Sequence, residues 1–145
     1  MIVDWQQPME EVAVGRGRKI SEGNDVAVLT LGPLGVRAQN VARKLKDEGI
    51  GVEHYDMRFA KPLDTAILDD VMKRYDYIVT IEDGSIKGGF GAAIVEYANE
   101  KGYKGEINVL GIPDRFIEHG TVAELHQECG LDEEGIRKAL IKKKG

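Results

Sequence analysis

The side chains best suited to chemistry lie in the loops that follow the predicted strands. Arg58 and Lys61 follow the second strand of the repeating pattern. An arginine presents a planar fork of N–H donors that fits a phosphate group. Considered by themselves, these residues leave two interpretations open. One is an anion site, and the other is a structural ion pair of Arg58 with a neighbouring carboxylate from Asp56, Glu82 or Asp83, which is the commoner arrangement in proteins.

A late loop, residues 111–120, contains two more candidates, Asp114 and His119. The pair Glu118-His119 resembles half of an acid–base pair, but a hydrogen bond from the histidine to a loop carbonyl explains it equally well. With Lys61, these two residues are candidate contacts at the rim of a site. His126 and Cys129, three residues apart on a predicted helix, are interpreted as surface and core residues.

A glycine-rich turn with Gly88, Gly89 and Gly91 precedes a predicted helix. Free N–H groups at a helix start favour anions, yet the turn has neither the Gly-Lys-Ser/Thr ending of a phosphate loop nor a dinucleotide fingerprint. Tight packing of the helix on a strand is the favoured explanation. The chain also lacks a nucleophile elbow, a zinc-protease helix and a carboxylate-pair motif, so we predict no catalytic residue and no metal site within it.

Strands and helices alternate from Asp25 onwards, which predicts right-handed crossovers and a parallel sheet with helices on both faces. The expected fold is a three-layer α/β/α sandwich with a mostly parallel sheet of four to six strands. The predicted strands cover residues 25–31, 51–55, 77–81 and 106–110, and Asp64 and Asp132 are predicted helix N-caps. Since parallel strands end at one edge of a sheet, the polar loops are expected to meet there.

Composition agrees with one domain that folds without disulfides. The chain has 145 residues, a net charge of −5 and a single cysteine, Cys129. The negative charge argues against nucleic-acid binding, and the absence of a long apolar run argues against a membrane span. We therefore expect a cytoplasmic protein. Residues 1–22 are predicted to form an extended arm with short strands near Val12–Val14 and Arg18–Ser21. Trp5 is expected to pack either on the domain, which occupies residues 23–145, or on a part of the protein outside this chain.

Four strings of residues, in order along nearly the whole chain, resemble one family. They are residues 15–19 with 22–25, the arginine loop 56–64, residues 80–84 with the turn Gly88-Gly89-Phe90-Gly91, and the late loop 111–121. Together they are similar to the C-terminal domain of the 1-deoxy-D-xylulose-5-phosphate synthase family, thiamine-diphosphate enzymes of the transketolase superfamily. Transketolases and the β subunits of 2-oxo acid dehydrogenases share the fold but usually differ in the arginine loop and the late loop.

The resemblance implies that the complete enzyme condenses pyruvate with glyceraldehyde 3-phosphate, with loss of carbon dioxide, for isoprenoid, thiamine and pyridoxal synthesis. It implies that thiamine diphosphate and Mg²⁺ are bound by two upstream domains of a homodimer. The chain is then an inactive fragment, possessing no cofactor-binding residue, that supports the contacts between domains and subunits. The family's arginine that matches Arg58 contacts the phosphate of the acceptor aldehyde, and a second such arginine lies upstream of the chain.

Three other functions remain open. The glycine turn would suit a free-standing, flavodoxin-like module that binds phosphate or a nucleotide. The fold would also suit the C-terminal part of a transketolase or of a 2-oxo acid dehydrogenase β subunit. The last alternative is a purely structural interaction domain, and in that case mutation of the rim loops would change no kinetic constant.

Overall fold

The computed structural model describes residues 14–85, 89–112 and 122–142. The strands are β1 Arg18–Ser21, β2 Val26–Leu31, β3 Val52–Asp56, β4 Tyr77–Ser85 and β5 Glu106–Ile112. The helices are α1 Leu34–Asp47, α2 Thr65–Arg74, α3 Phe90–Glu100, α4 Val122–Glu128 and α5 Glu133–Ile141. None of these helices combines the length and the apolar character needed to cross a bilayer.

The five strands form one sheet in the order β1-β3-β2-β4-β5. Strands β2 to β5 run parallel to one another, and β1 is antiparallel to β3 at the edge of the sheet. Because the parallel strands are joined through helices, the sheet carries a helical layer on each face. The predicted three-layer fold with four to six mostly parallel strands is confirmed.

Strand β2 is buried on both faces because its side chains alternate between two apolar cores. Val26 and Val28 pack with residues of α1 and α5. Ala27 and Leu29 pack with residues of α2 and α3 on the other face. The continuous apolar run of β2 therefore has a direct structural cause, since both faces of the strand are covered by helices. The apolar residues of α1 that recur at helical spacing are buried as well: Ala38, Val41, Ala42 and Leu45.

Two helices begin at their predicted N-caps. The carboxylates of Asp64 and Asp132 each accept a backbone N–H from the first turn of their own helix, at 3.2 and 2.9 Å. The other oxygen of Asp64 accepts the N–H of Gly17 at 2.8 Å, which ties the segment before β1 to the start of α2. The sequence Thr121-Val122-Ala123-Glu124 is typical of a capping box at the start of α4, but Thr121 lies outside the described residues.

The N-terminal segment contributes β1 to the sheet, where the sequence placed its second short strand. Val14 lies in an exposed turn, and the rest of the first predicted strand, like Trp5, lies outside the described residues. Since β1 pairs with β3, this part of the proposed arm belongs to the same sheet as the proposed domain. The division at residues 22 and 23 stays a proposal.

Strands β4 and β5 continue beyond their predicted ends. We expected them to stop at Ile81 and Leu110, but they reach Ser85 and Ile112. The ladder between them has an irregular register after Ile81 and resumes where Ser85 pairs with Ile112. Turn-forming residues such as Gly84 fall in this irregular stretch, and for that reason the sequence pattern placed the strand end too early.

Candidate functional site

Arg58 lies in a tight turn directly after the carboxyl end of β3. The N–H of Phe59 donates to the carbonyl of Met57 at 2.6 Å, which closes a γ-turn centred on Arg58. Arg58 has a φ of 62°, and the other positive φ angles in the described part of the chain belong to glycines. A side chain in this conformation costs about 1–2 kcal/mol. Such strain persists where the surroundings enforce it, most often at functional sites.

The turn is anchored on its N-terminal side. The side chain of Met57 is fully buried, and its N–H donates to the carbonyl of Thr30 in β2 at 2.9 Å. The carboxylate of Asp56 accepts the backbone N–H of Arg58 at 3.1 Å. The backbone that leads into Arg58 is therefore fixed by the sheet.

The guanidinium of Arg58 is half-buried and forms no ion pair within residues 14–85, 89–112 and 122–142. The three carboxylates considered as its partners have other contacts. Asp56 accepts the backbone N–H of Arg58, Glu82 accepts two N–H groups of α3, and Asp83 bonds to His126. Within the described part of the chain, the contacts do not support the ion-pair interpretation.

The other predicted rim residues are placed only in part. Lys61 is exposed in the same loop, before a cis bond to Pro62, and forms no ion pair with a described residue. Asp114 and His119 lie outside the described residues. The structure therefore brings Arg58 and Lys61 into one loop, and the roles of all four residues stay predictions.

The start of α3 is occupied by a carboxylate of the protein itself. Glu82, which is 5% exposed, accepts the N–H of Phe90 at 3.2 Å and the N–H of Gly91 at 2.7 Å. These N–H groups are the ones that an external anion would use at a helix N-terminus. The described part of the glycine turn is therefore already satisfied internally.

Gly91 has the packing role that the sequence favoured. A Cβ atom at this position would lie 2.4 Å from Val109 in β5 and 2.7 Å from the hydroxyl of Thr80 in β4. Thr80 and Val109 are paired in the ladder that joins β4 to β5, so the backbone hydrogen bonds of the sheet hold both residues in place. The glycine thus allows α3 to lie directly on the sheet. Gly88, its predicted partner, lies outside the described residues.

A polar network that the sequence did not reveal spans the point where the strand order reverses, between β2 and β4. His126 accepts through Nδ1 from Arg37 at 3.2 Å and donates through Nε2 to Asp83 at 2.9 Å. The direction follows because an arginine can only donate. Arg37 also donates to the carbonyl of Leu131 at 2.7 Å. His126 is buried, with 7% of its surface exposed, so its assignment to the surface was wrong. The three segments are far apart in sequence, and no local pattern connects them.

His54 is another buried polar residue close to the Arg58 turn. It is 1% exposed in β3, its Nε2 lies 2.8 Å from the hydroxyl of Thr30, and its Nδ1 has no described partner. Burial lowers the pKa of His54 to about 4, and the nearby carboxylate of Asp56 opposes this only in part. The imidazole is therefore neutral in the folded protein at neutral pH.

We expect His54 to make the fold sensitive to mild acid. Its pKa is lower in the folded than in the unfolded chain, so its contribution is complete above about pH 6.5 and is lost as the pH falls towards 4. At pH 5 the loss is about 2 kcal/mol. His54→Gln keeps a polar atom near Thr30 and removes the titration. Urea unfolding at pH 7 and pH 5 tests this: equal losses in wild type and variant would contradict it.

Comparison with known proteins gives one family for most of the chain. Residues 15–136 match the family described as the transketolase C-terminal domain. The chain is 54% identical over 144 residues to the 1-deoxy-D-xylulose-5-phosphate synthase of Bacteroides fragilis, and 49% identical over 141 residues to that of Phocaeicola vulgatus. These alignments cover 99% and 97% of the chain but only 22% of each relative, so the chain spans about a fifth of their length.

A solved structure agrees with this likeness. The fold superimposes on a split-gene transketolase, described as an inactive beta4 tetramer, with a TM-score of 0.83 and 30% sequence identity. The match covers 97% of this chain and 46% of that one. The more distant synthase of Chlorobium phaeovibrioides is 41% identical over 126 residues, 87% of this chain and 20% of the relative. The family resemblance drawn from the sequence motifs is therefore confirmed.

Proposed function

The chain belongs to the transketolase C-terminal domain family, and we propose that it serves as the C-terminal domain of a 1-deoxy-D-xylulose-5-phosphate synthase. The complete enzyme would join pyruvate and glyceraldehyde 3-phosphate with loss of carbon dioxide, a step towards isoprenoids, thiamine and pyridoxal. Support comes from the synthases that match nearly the whole chain at 49–54% identity. The arginine loop distinguishes this assignment from a transketolase or a dehydrogenase β subunit.

Within that enzyme, we propose that Arg58 binds the phosphate of the acceptor aldehyde. The observation that carries this is a strained, half-buried arginine at the carboxyl end of β3 whose guanidinium has no described carboxylate partner. Ligands of open α/β sheets gather beyond this edge. A charge-assisted, two-pronged contact would fix the phosphate end of the aldehyde and so orient its carbonyl for attack. Lys61, Asp114 and His119 would be neighbouring contacts.

The residues described here do not fit the cofactor. No group of three or more His, Cys, Asp or Glu side chains among them is arranged to hold a metal ion. The described N–H groups at the start of α3, where a diphosphate would otherwise bind, are bonded to Glu82. We therefore propose that thiamine diphosphate and Mg²⁺ are held by upstream domains of the same polypeptide. The chain alone would then have no activity.

The proposed partners follow from the same assignment. The upstream catalytic domains would complete the phosphate site, and a second copy of the complete enzyme would form a homodimer. The protein would work in the cytoplasm. The domain would thus serve two purposes, contacting the acceptor and supporting the assembly of the catalytic domains.

The phosphate role predicts a defect that depends on the substrate's phosphate. In the complete enzyme, Arg58→Ala is expected to raise the KM for glyceraldehyde 3-phosphate about 30-fold, because a hydrogen-bonded charge pair contributes about 2 kcal/mol. The KM for pyruvate should stay within about twofold. With unphosphorylated glyceraldehyde, variant and wild type should react equally well, because this aldehyde has no phosphate for Arg58 to bind.

Steady-state kinetics with the two aldehydes measures this effect. Arg43→Ala is the matched control, since Arg43 is an exposed arginine on α1 without a described ion pair. It should leave every constant unchanged. An Arg58→Ala enzyme with the wild-type KM for glyceraldehyde 3-phosphate would remove the phosphate role.

A further inference from the structure

The turn that carries Arg58 depends on one side chain outside the turn itself. Three hydrogen bonds define its backbone. Two are made between backbone groups, from Met57 to Thr30 and from Phe59 to Met57. The third runs from the N–H of Arg58 to Oδ1 of Asp56 at 3.1 Å and is the one that involves a side chain. Asp56 is therefore placed to control how Arg58 is presented.

An arginine does not adopt the left-handed region by preference. Glycine enters it freely, and Asn or Asp enters it when their own side chains bond to nearby backbone. At Arg58 the carboxylate comes instead from Asp56, two residues earlier, at the end of β3. An ionised acceptor makes a stronger bond to an N–H than a neutral one does. This bond offsets part of the strain that a φ of 62° imposes on Arg58.

Asp56 has no competing ion pair among the described residues. Arg18 lies directly opposite it in the antiparallel ladder, but the two side chains form no ion pair. Asp56 lines a cavity of about 100 Å³ together with Gly35 and His54. Replacing Asp56 by a smaller residue would enlarge this cavity without a clash. The substitution therefore removes the acceptor with little change in packing.

We infer that Asp56 is a positioning residue, which holds the backbone of Arg58 in its left-handed conformation and so fixes where the guanidinium meets the acceptor phosphate. This inference rests on the proposed phosphate role of Arg58. Without the carboxylate, the turn relaxes towards an ordinary negative φ and carries the guanidinium away from its place. A displacement of about 1 Å is enough to lower the efficiency of a positioned group 10- to 100-fold.

A double-mutant cycle in the complete enzyme tests the inference. Asp56→Ala is expected to raise the KM for glyceraldehyde 3-phosphate about 10-fold, with little change for unphosphorylated glyceraldehyde or pyruvate. Asp56→Asn keeps an oxygen acceptor and should remain within about threefold of wild type. Adding Asp56→Ala to Arg58→Ala should change the KM no further, because Asp56 acts through Arg58. Asp47→Ala, at an exposed position of α1, is the matched control and should have no effect.

The outcomes separate the two proposals. If Arg58→Ala raises the KM and Asp56→Ala does not, the inference is overturned and the phosphate role stands. If Arg58→Ala itself has no effect, the phosphate role of Arg58 is contradicted, and the inference about Asp56, which rests on it, is contradicted with it. Effects of the two alanine substitutions that multiply in the double variant would overturn the inference, because Asp56 would then act independently. An Asp56→Asn enzyme as impaired as Asp56→Ala would overturn it too.

Discussion

Replacing Glu82 by alanine is expected to lower the free energy of unfolding by about 3 kcal/mol, because it removes two charge-assisted hydrogen bonds in a buried place. The carboxylate is 5% exposed and accepts from Phe90 and Gly91 at the start of α3. Its negative charge also interacts favourably with the positive, N-terminal end of the helix dipole. Alanine leaves both N–H groups without an acceptor. The emptied place is then suited to a small anion from solution.

Urea unfolding with and without inorganic phosphate, at constant ionic strength, measures both effects. Phosphate should stabilise Glu82→Ala by mass action and leave the wild type unchanged. Glu96→Ala is the matched control, because Glu96 is an exposed glutamate on the same helix and its loss should change stability by less than about 0.5 kcal/mol. If phosphate stabilised the wild type as strongly as the variant, the prediction would be contradicted. The alternative of a free-standing phosphate-binding module would then be favoured.

The Glu82 contact also explains why the glycine turn was ambiguous in the sequence. A helix start with glycines is compatible with an external anion and with an internal one. The difference lies in where the end of β4 places a carboxylate, and this depends on the irregular stretch after Ile81. No spacing rule states that Glu82 folds back onto Phe90 eight residues later. The correct interpretation needs the relative positions of β4 and α3.

The fold was predictable because its signals are local. Each of these signals depends on residues that are close together in the chain. They are the continuous apolar run of β2, the apolar stripe on α1 and the N-caps Asp64 and Asp132. Alternation of strands and helices then limits the topology to a few choices. The strand ends were less predictable, since turn-forming residues such as Gly84 also occur within an irregular strand.

The role of Arg58 stays a proposal, and the sequence did not predict the geometry of its turn. The family resemblance pointed to Arg58, yet nothing in the sequence indicates a left-handed arginine, because this conformation is unfavourable for its side chain. The turn exists because Met57 is anchored to the neighbouring strand and Asp56 accepts an N–H. The network around His126 was missed for a similar reason, since its three members come from α1, β4 and α4.

Among the long-range contacts, we expect the free energy of unfolding to depend most strongly on the pair of Glu53 and Arg74. This pair joins β3 to α2, the elements on either side of the arginine loop. Glu53 is 3% exposed and receives two hydrogen bonds from the Arg74 guanidinium and one from the hydroxyl of Tyr55 at 3.0 Å. Burial by itself would raise the pKa of Glu53, but the hydrogen bonds from Arg74 and Tyr55 outweigh it and hold the pKa below its usual value. The carboxylate is thus ionised in the interior because Arg74 is present.

Arg74→Met is expected to lower the free energy of unfolding by about 3 kcal/mol at pH 7, because it leaves that buried charge unpaired. Asp70→Ala is the control: Asp70 is the exposed partner of Arg74 one helical turn earlier, and its loss should cost less than about 0.5 kcal/mol. Adding Glu53→Gln to Arg74→Met should restore part of the stability, since no charge then remains buried.

The pH dependence of stability shows whether the unpaired charge of Glu53 causes the loss of stability in Arg74→Met. The pKa of Glu53 is lowered in the folded protein, so its contribution is present above the unfolded value and is lost as the pH falls. Without Arg74, burial favours the protonated acid. The difference in unfolding free energy between wild type and Arg74→Met should therefore shrink between pH 7 and pH 4, as measured by urea unfolding. A difference that stays constant over this range would mean that Arg74 stabilises the fold through packing of its aliphatic chain rather than through Glu53.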